Sequence, residues 1–170
     1  MSKLPALVLS VVLTAGLALA GGAASAVVKN GDSGNDNLTG TSAKDTLRGR
    51  GGDDRLLGLG GDDLLVGGPG DDVVKGGAGL DDLGGGTGDD LVVGGFDDND
   101  DRLYGGPGND IVSSYHSDES SGGRGNDRMV IIDPMPGAFV MCGQGDDTVI
   151  SEGKPPAGVV ADDCEHLDVR

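Results

Sequence analysis

From residue 36 an aliphatic side chain recurs every nine residues, always two positions after an aspartate. The aliphatic series is Leu38, Leu47, Leu56, Leu65, Val74, Leu83 and Val92, and the aspartates are Asp36, Asp45, Asp54, Asp63, Asp72, Asp81 and Asp90. A glycine-rich stretch precedes each aspartate, as in Gly67-Gly68-Pro69-Gly70-Asp71-Asp72-Val73-Val74-Lys75. Each unit therefore reads as a tight turn followed by a strand of about three residues whose middle side chain points inward. Stacked units of this kind predict an all-β solenoid with an aliphatic column on each side.

The pattern loosens in places. Thr41 and Ala43 stand where glycines are expected. Residues 94–104 make an eleven-residue unit in which Phe96-Asp97-Asp98-Asn99-Asp100 enlarges the turn before Asp101 and Leu103. Residues 105–113 restore the unit with Asp110 and Val112, whereas 114–121 read as a polar insertion lacking it. Residues 122–130 carry Asp127 and Met129, and a last copy at 142–150 carries Asp147 and Val149. Metal ligation is expected to weaken along this series.

Composition changes the picture by removing the ordinary alternatives. With 35 glycines, no Trp and four Phe and Tyr together, the 170-residue chain lacks the large side chains of a conventional core. Its 29 acidic and 12 basic residues give a net charge of −17, unsuited to nucleic acid or an anionic membrane surface and suited to multivalent cations. The first 26 residues read as a secretory signal peptide: Lys3, an apolar run from Leu4 to Ala20, and the small-residue site Ala24-Ser25-Ala26. Cleavage after Ala26 predicts a secreted mature chain starting at Val27, with no long apolar segment to span a membrane. It leaves 11 basic residues against 29 acidic, a net charge of −18. The expected organisation is a signal peptide at 1–26, repeats at 27–130, and a degenerate repeat with a terminal cap at 131–170.

Calcium is a hard cation that takes about six to eight oxygens from a flexible mixture of carboxylates and carbonyls. Glycine turns with free carbonyls beside an aspartate supply that mixture. In these residues the chain resembles the RTX, or haemolysin-type calcium-binding, repeat family, whose unit is GGxGxDxUx with U a large aliphatic residue. It is also similar to small secreted repeat proteins of actinobacteria. The resemblance implies a right-handed parallel β-roll in which two nonapeptides make one turn and Ca2+ lies between stacked turns. Asp36, Asp54, Asp72 and Asp90 would then line one edge, and Asp45, Asp63 and Asp81 the other. Asp101, Asp110, Asp127 and Asp147 complete the expected metal ligands. So thin a core, carrying stacked carboxylates, is expected to fold only when ions neutralise it.

Cys142 and Cys164 are the only cysteines, and in an oxidising compartment they are expected to form one disulfide that ties the cap to the last repeat. No catalytic residues are assigned. Neither HExxH nor GxSxG occurs, and Ser113, Ser114, His116 and Asp118 are expected on one surface loop with nothing to orient them. His166 reads as a solvated side chain. The leading expectation is a non-enzymatic, extracellular calcium-binding protein with a structural or buffering role. The alternative is an adhesive module for cell-wall or matrix polysaccharide, using a flat face to which Leu57, Val66, Val93 and Tyr104 contribute. Oligomeric state is left open.

Overall fold

The structure, a computed structural model, describes residues 24–170 except Ser117. The proposed signal peptide lies almost wholly outside the described residues. Fifteen strands follow: β1 (Val28–Asn30), β2 (Asn37–Thr39), β3 (Thr46–Arg48), β4 (Arg55–Gly60), β5 (Leu64–Pro69), β6 (Val73–Ala78), β7 (Asp82–Thr87), β8 (Leu91–Val93), β9 (Arg102–Pro107), β10 (Ile111–Tyr115), β11 (Glu119–Arg124), β12 (Arg128–Ile132), β13 (Phe139–Gln144), β14 (Thr148–Ser151) and β15 (His166–Val169). Sheet one runs β1-β3-β5-β7-β9-β11-β13, and sheet two runs β15-β14-β12-β10-β8-β6-β4-β2. Paired strands are parallel throughout, so the chain alternates between two facing sheets and climbs one rung per circuit. The fold is the expected all-β parallel solenoid.

Each circuit takes 18 residues in the regular part, as in Leu65 opposite Leu83 and Leu56 opposite Val74. The inward column forms as the alternation requires: Leu47, Leu56, Leu65, Val74, Leu83, Val92, Leu103 and Val112 are all 0 % exposed. Strand length departs from expectation, because β4 to β7 run to six residues. In these strands the ladder continues through the glycines of the following turn, whose amides pair with the next rung, as in Gly68 opposite Gly86.

Residues 114–121 are not an insertion. Glu119–Arg124 is the full strand β11, registered on Leu103 and Val140 through Ser120, which is 1 % exposed. Ser120 fills an aliphatic slot, and Asp118 takes the aspartate place before it. The catalytic-looking cluster is correspondingly not a surface loop: Ser113 and Ser114 lie in β10, and Ser114, His116 and Asp118 are buried.

The ninth-position residues do not share a face either. Leu57 and Val93 belong to sheet two, and Val66 and Tyr104 to sheet one. Strict alternation between sheets sends successive repeats to opposite sides.

At the C-terminal end Cys142 and Cys164 form the expected disulfide, with Cys142 fully buried. Closing this loop stabilises the end by about 3 kcal/mol in the chain-entropy model. Ile131, Ala138 and Val159 pack as an apolar plug beneath the last rungs, and β15 covers β14.

Candidate metal centre

The turns between the sheets form two edges. The first edge carries the turns from sheet one to sheet two, and the second edge carries the return turns. Asp36, Asp54, Asp72, Asp90, Asp110, Asp127 and Asp147 stack on the first edge. Asp45, Asp63, Asp81, Asp101 and Asp118 stack on the second. The eleven expected ligands therefore fall into two rows, and Asp118 is the member that sequence reasoning missed.

One hydrogen-bond rule builds both rows. From Asp54 and Asp63 onward, each aspartate Oδ1 accepts the backbone N–H of the aspartate one turn earlier: Asp54 from Asp36 at 2.7 Å, Asp90 from Asp72 at 2.8 Å, and Asp147 from Asp127 at 2.7 Å. On the second edge Asp63 accepts from Asp45 at 2.7 Å and Asp118 from Asp101 at 3.0 Å. The first row closes on Glu165, whose Oε2 accepts from Asp147 N–H at 3.0 Å.

The other carboxylate oxygen is the chemically informative one. Among the described residues, Oδ2 of Asp54, Asp63, Asp72, Asp81, Asp90, Asp110, Asp127 and Asp147 is buried and has no hydrogen-bond partner. Six of these eight lie on the first edge and two on the second. A buried, acceptor-only oxygen without a donor is costly, and a proton or a cation removes the cost. Beside seven of these orphans stands the first glycine of its turn, and in the turn of Asp147 Cys142 takes that place. A β-carbon added at Gly49 would lie 2.7 Å from the Gly67 carbonyl oxygen as well as against Asp54 Oδ2, and one at Gly58 would lie 2.6 Å from the Gly76 carbonyl oxygen and against Asp63 Oδ2. Carboxylate and next-turn carbonyl thus converge on a space that only glycine leaves open. Among the described residues no group of three or more His, Cys, Asp or Glu side chains is placed to hold a metal. The available donors are therefore single carboxylates and backbone carbonyls, an all-oxygen mixture that fits a hard cation such as calcium.

Burial shifts the carboxyls in the same sense. Desolvation, opposed by the backbone hydrogen bond and reinforced by neighbouring carboxylates, raises Asp72 and Asp110 to about 6, Asp81 and Asp90 to about 7, and Asp101 to about 8. Asp63, Asp127 and Asp147 are raised for the same leading reason. Asp118 is raised to about 6, and its Oδ2 accepts the Tyr115 N–H at 2.6 Å, so it does not share the orphaned state.

The two edges then diverge. Circuits lengthen to 20 residues at Leu83–Leu103, shorten to 17 at Leu103–Ser120 and return to 20 at Ser120–Val140. Each change falls in a second-edge turn, at 94–101, 116–118 and 133–138. The first-edge turns 67–72, 85–90, 105–110, 122–127 and 142–147 keep one length, with glycine at both the second and fourth positions. Regularity is therefore lost on one side of the roll only, from residue 94 onward. Past Asp118 the second-edge row ends at Ala138, and Ile131 fills the neighbouring glycine place.

A further row on the first edge was also missed. Asn35 Oδ1 accepts from Asp53 N–H, Asp53 from Asp71, Asp71 from Asp89, and Asp89 from Asn109, all at 2.8–3.1 Å. Asn109 and Asn126 continue it to Asp146, whose Oδ1 lies 2.9 Å from His166 Nε2. The signal was present as an Asn or Asp before every first-edge aspartate. His166 is exposed, as expected, but paired. His116 sits between Asp98 at 2.9 Å and Asp133 at 3.3 Å, with Tyr115 stacked on its ring.

No curated protein matches the chain. The family model of the RTX calcium-binding nonapeptide repeat, in four copies, matches residues 30–65, 57–92, 66–99, 84–115 and 97–129. These matches span the regular rungs and the interrupted ones as far as the start of β12, more than half the chain, and the chain belongs to the RTX calcium-binding nonapeptide repeat family.

Proposed function

We propose that this is a secreted protein, released by cleavage after Ala26, that folds as it binds calcium and serves as a structural or buffering element outside the cell. RTX repeats bind Ca2+. The observation that carries the fuller reading is the set of eight buried Asp Oδ2 atoms with no donor, six of them in one row. On this reading Asp54, Asp72, Asp90, Asp110, Asp127 and Asp147 hold ions along the first edge, and Asp63 and Asp81 hold them on the second. Turn carbonyls complete each set, and the ions remove the repulsion between stacked carboxylates. Binding free energy then becomes folding free energy. Native mass spectrometry of the 27–170 chain in calcium should count about eight ions, the number of orphaned carboxylates. A count of two or three would overturn the assignment.

A second reading, adhesion to cell-wall or matrix polysaccharide, has one observation in its favour. The outward positions of sheet two from β2 to β14 carry no acid in a protein of charge −17. Val73, Leu91 and Ile111 stack across adjacent strands there, with Arg55, Lys75 and Arg128 nearby. Calcium-dependent retention on cell-wall polysaccharide that is lost in Ile111→Asp, with circular dichroism unchanged, would favour it. No retention by the unaltered protein would remove it.

A further inference from the structure

Asp45 differs from its neighbours in the second-edge row. It is 1 % exposed, yet neither of its oxygens is orphaned. Oδ2 accepts the Thr41 N–H and the Thr41 hydroxyl, at 3.0 Å for the latter. Oδ1 accepts from Val27 N at 2.6 Å. Val27 thus occupies the place that an aspartate amide fills in every later turn, and its carbonyl accepts from Thr46 N–H at 2.9 Å, holding it in register. Val27 is also the residue that follows Ala24-Ser25-Ala26.

We infer that cleavage after Ala26 creates the cation for this carboxylate: the new α-ammonium of Val27 docks on Asp45 and caps the second-edge row in place of calcium. The inference rests on the cleavage proposed above. Before cleavage the Val27 nitrogen is a neutral amide with one proton to donate. After cleavage it is an ammonium, protonated for the most part at neutral pH. It keeps the same donor position and adds a full positive charge to a buried carboxylate, and charge-assisted hydrogen bonds of this kind are roughly twice as strong as neutral ones. The donors supplied by Thr41 make the same point from the other side. The Gly58 carbonyl faces Asp45 as glycine carbonyls face the later aspartates, but here Oδ2 already has amide and hydroxyl donors and needs no ion. Processing therefore does more than free the chain from the membrane: it completes the first rung.

The test compares chains of defined N-terminus in saturating calcium. The chain beginning at Val27 should melt roughly 2–4 °C above the same chain with Val27 acetylated, and above one beginning at Ser25. In the Asp45→Asn background the difference should vanish, because the carboxylate that reads the charge is gone. Equal melting temperatures, or a difference that survives Asp45→Asn, would overturn the inference. Native mass spectrometry supplies a second readout: Asp45→Asn should bind as many calcium ions as the unaltered chain, and loss of one ion would assign Asp45 to calcium instead. Intact-mass measurement of the secreted protein reports separately on the cleavage site, so an error there is distinguishable from failure of the docking.

Discussion

The two edges of the roll are made from the same nonapeptide, and they tolerate change very differently. On the first edge seven aspartates stack without a break, and six of them keep a buried oxygen that lacks a donor. On the second edge the N-terminal aspartate is satisfied by Val27 and Thr41, and the last by Tyr115. Every change in circuit length, and the apolar plug of Ile131 and Ala138, lies on that side. A parallel solenoid needs each rung to start in register with the one below. One edge of constant turn length, carrying the unbroken row of stacked carboxylates, supplies that register, and the other is then free to lengthen, shorten or turn apolar.

The largest effect that could break this comparison comes from removing charge on each edge in turn. Changing Asp72, Asp90 and Asp110 to Asn keeps an acceptor for each row hydrogen bond but removes three adjacent carboxylates from the first edge. This variant should fail to fold at millimolar calcium. The matching second-edge variant, Asp63, Asp81 and Asp101 to Asn, should fold with fewer ions bound. Circular dichroism and ion counting on both read the difference directly, and equal behaviour would mean that the edges share the work.

A smaller effect concerns protons. The carboxyls of Asp72, Asp81, Asp90, Asp101 and Asp110 lie above the ordinary carboxylate range in the folded chain, at about 6 to 8. A group raised on folding contributes stability that is full below its unfolded value, about 3.9 for Asp, and that is lost as pH rises through the folded value. The calcium-free chain should therefore gain β-structure as pH falls from about 8 to 4, with protons standing in for ions. Calcium affinity should fall over the same range. If the calcium-free spectrum showed no such gain, the burial argument would be wrong.

The smallest expected effect isolates turn geometry. Leu59 has φ of 82° and Arg50 of 85°, both in the left-handed region that the next rung fills with glycine, Gly77 and Gly68. Leu59 is 54 % exposed, so Leu59→Gly loses little packing and should stabilise the calcium-bound protein by about 1 kcal/mol. Arg50→Gly should do the same on the first edge. A chemical denaturation series in calcium measures both.

Much of this architecture could be read from residue order, because the aspartate and the aliphatic residue recur at fixed distance and each has only one sensible orientation. The disulfide followed from there being two cysteines. Three features resisted, each for a physical reason. The rung at Asp118 and Ser120 hid because a serine fills an aliphatic slot and Tyr115 and His116 stand where glycines would. The one-sidedness of the irregularity hid because the two edges interleave, so that alternate repeats belong to different rows. The Asn35 to Asp146 row hid because its side chains are exposed and read as ordinary surface charge. The same interleaving puts Leu57 and Val66 on opposite sheets.

Whether cations complete this fold is read by a calcium titration of the 27–170 chain at neutral pH, followed by far-UV circular dichroism. The spectrum in excess chelator should be that of an unfolded chain, with a cooperative rise of β-signal as calcium is added. Full β-structure in the chelator would contradict cation-dependent folding.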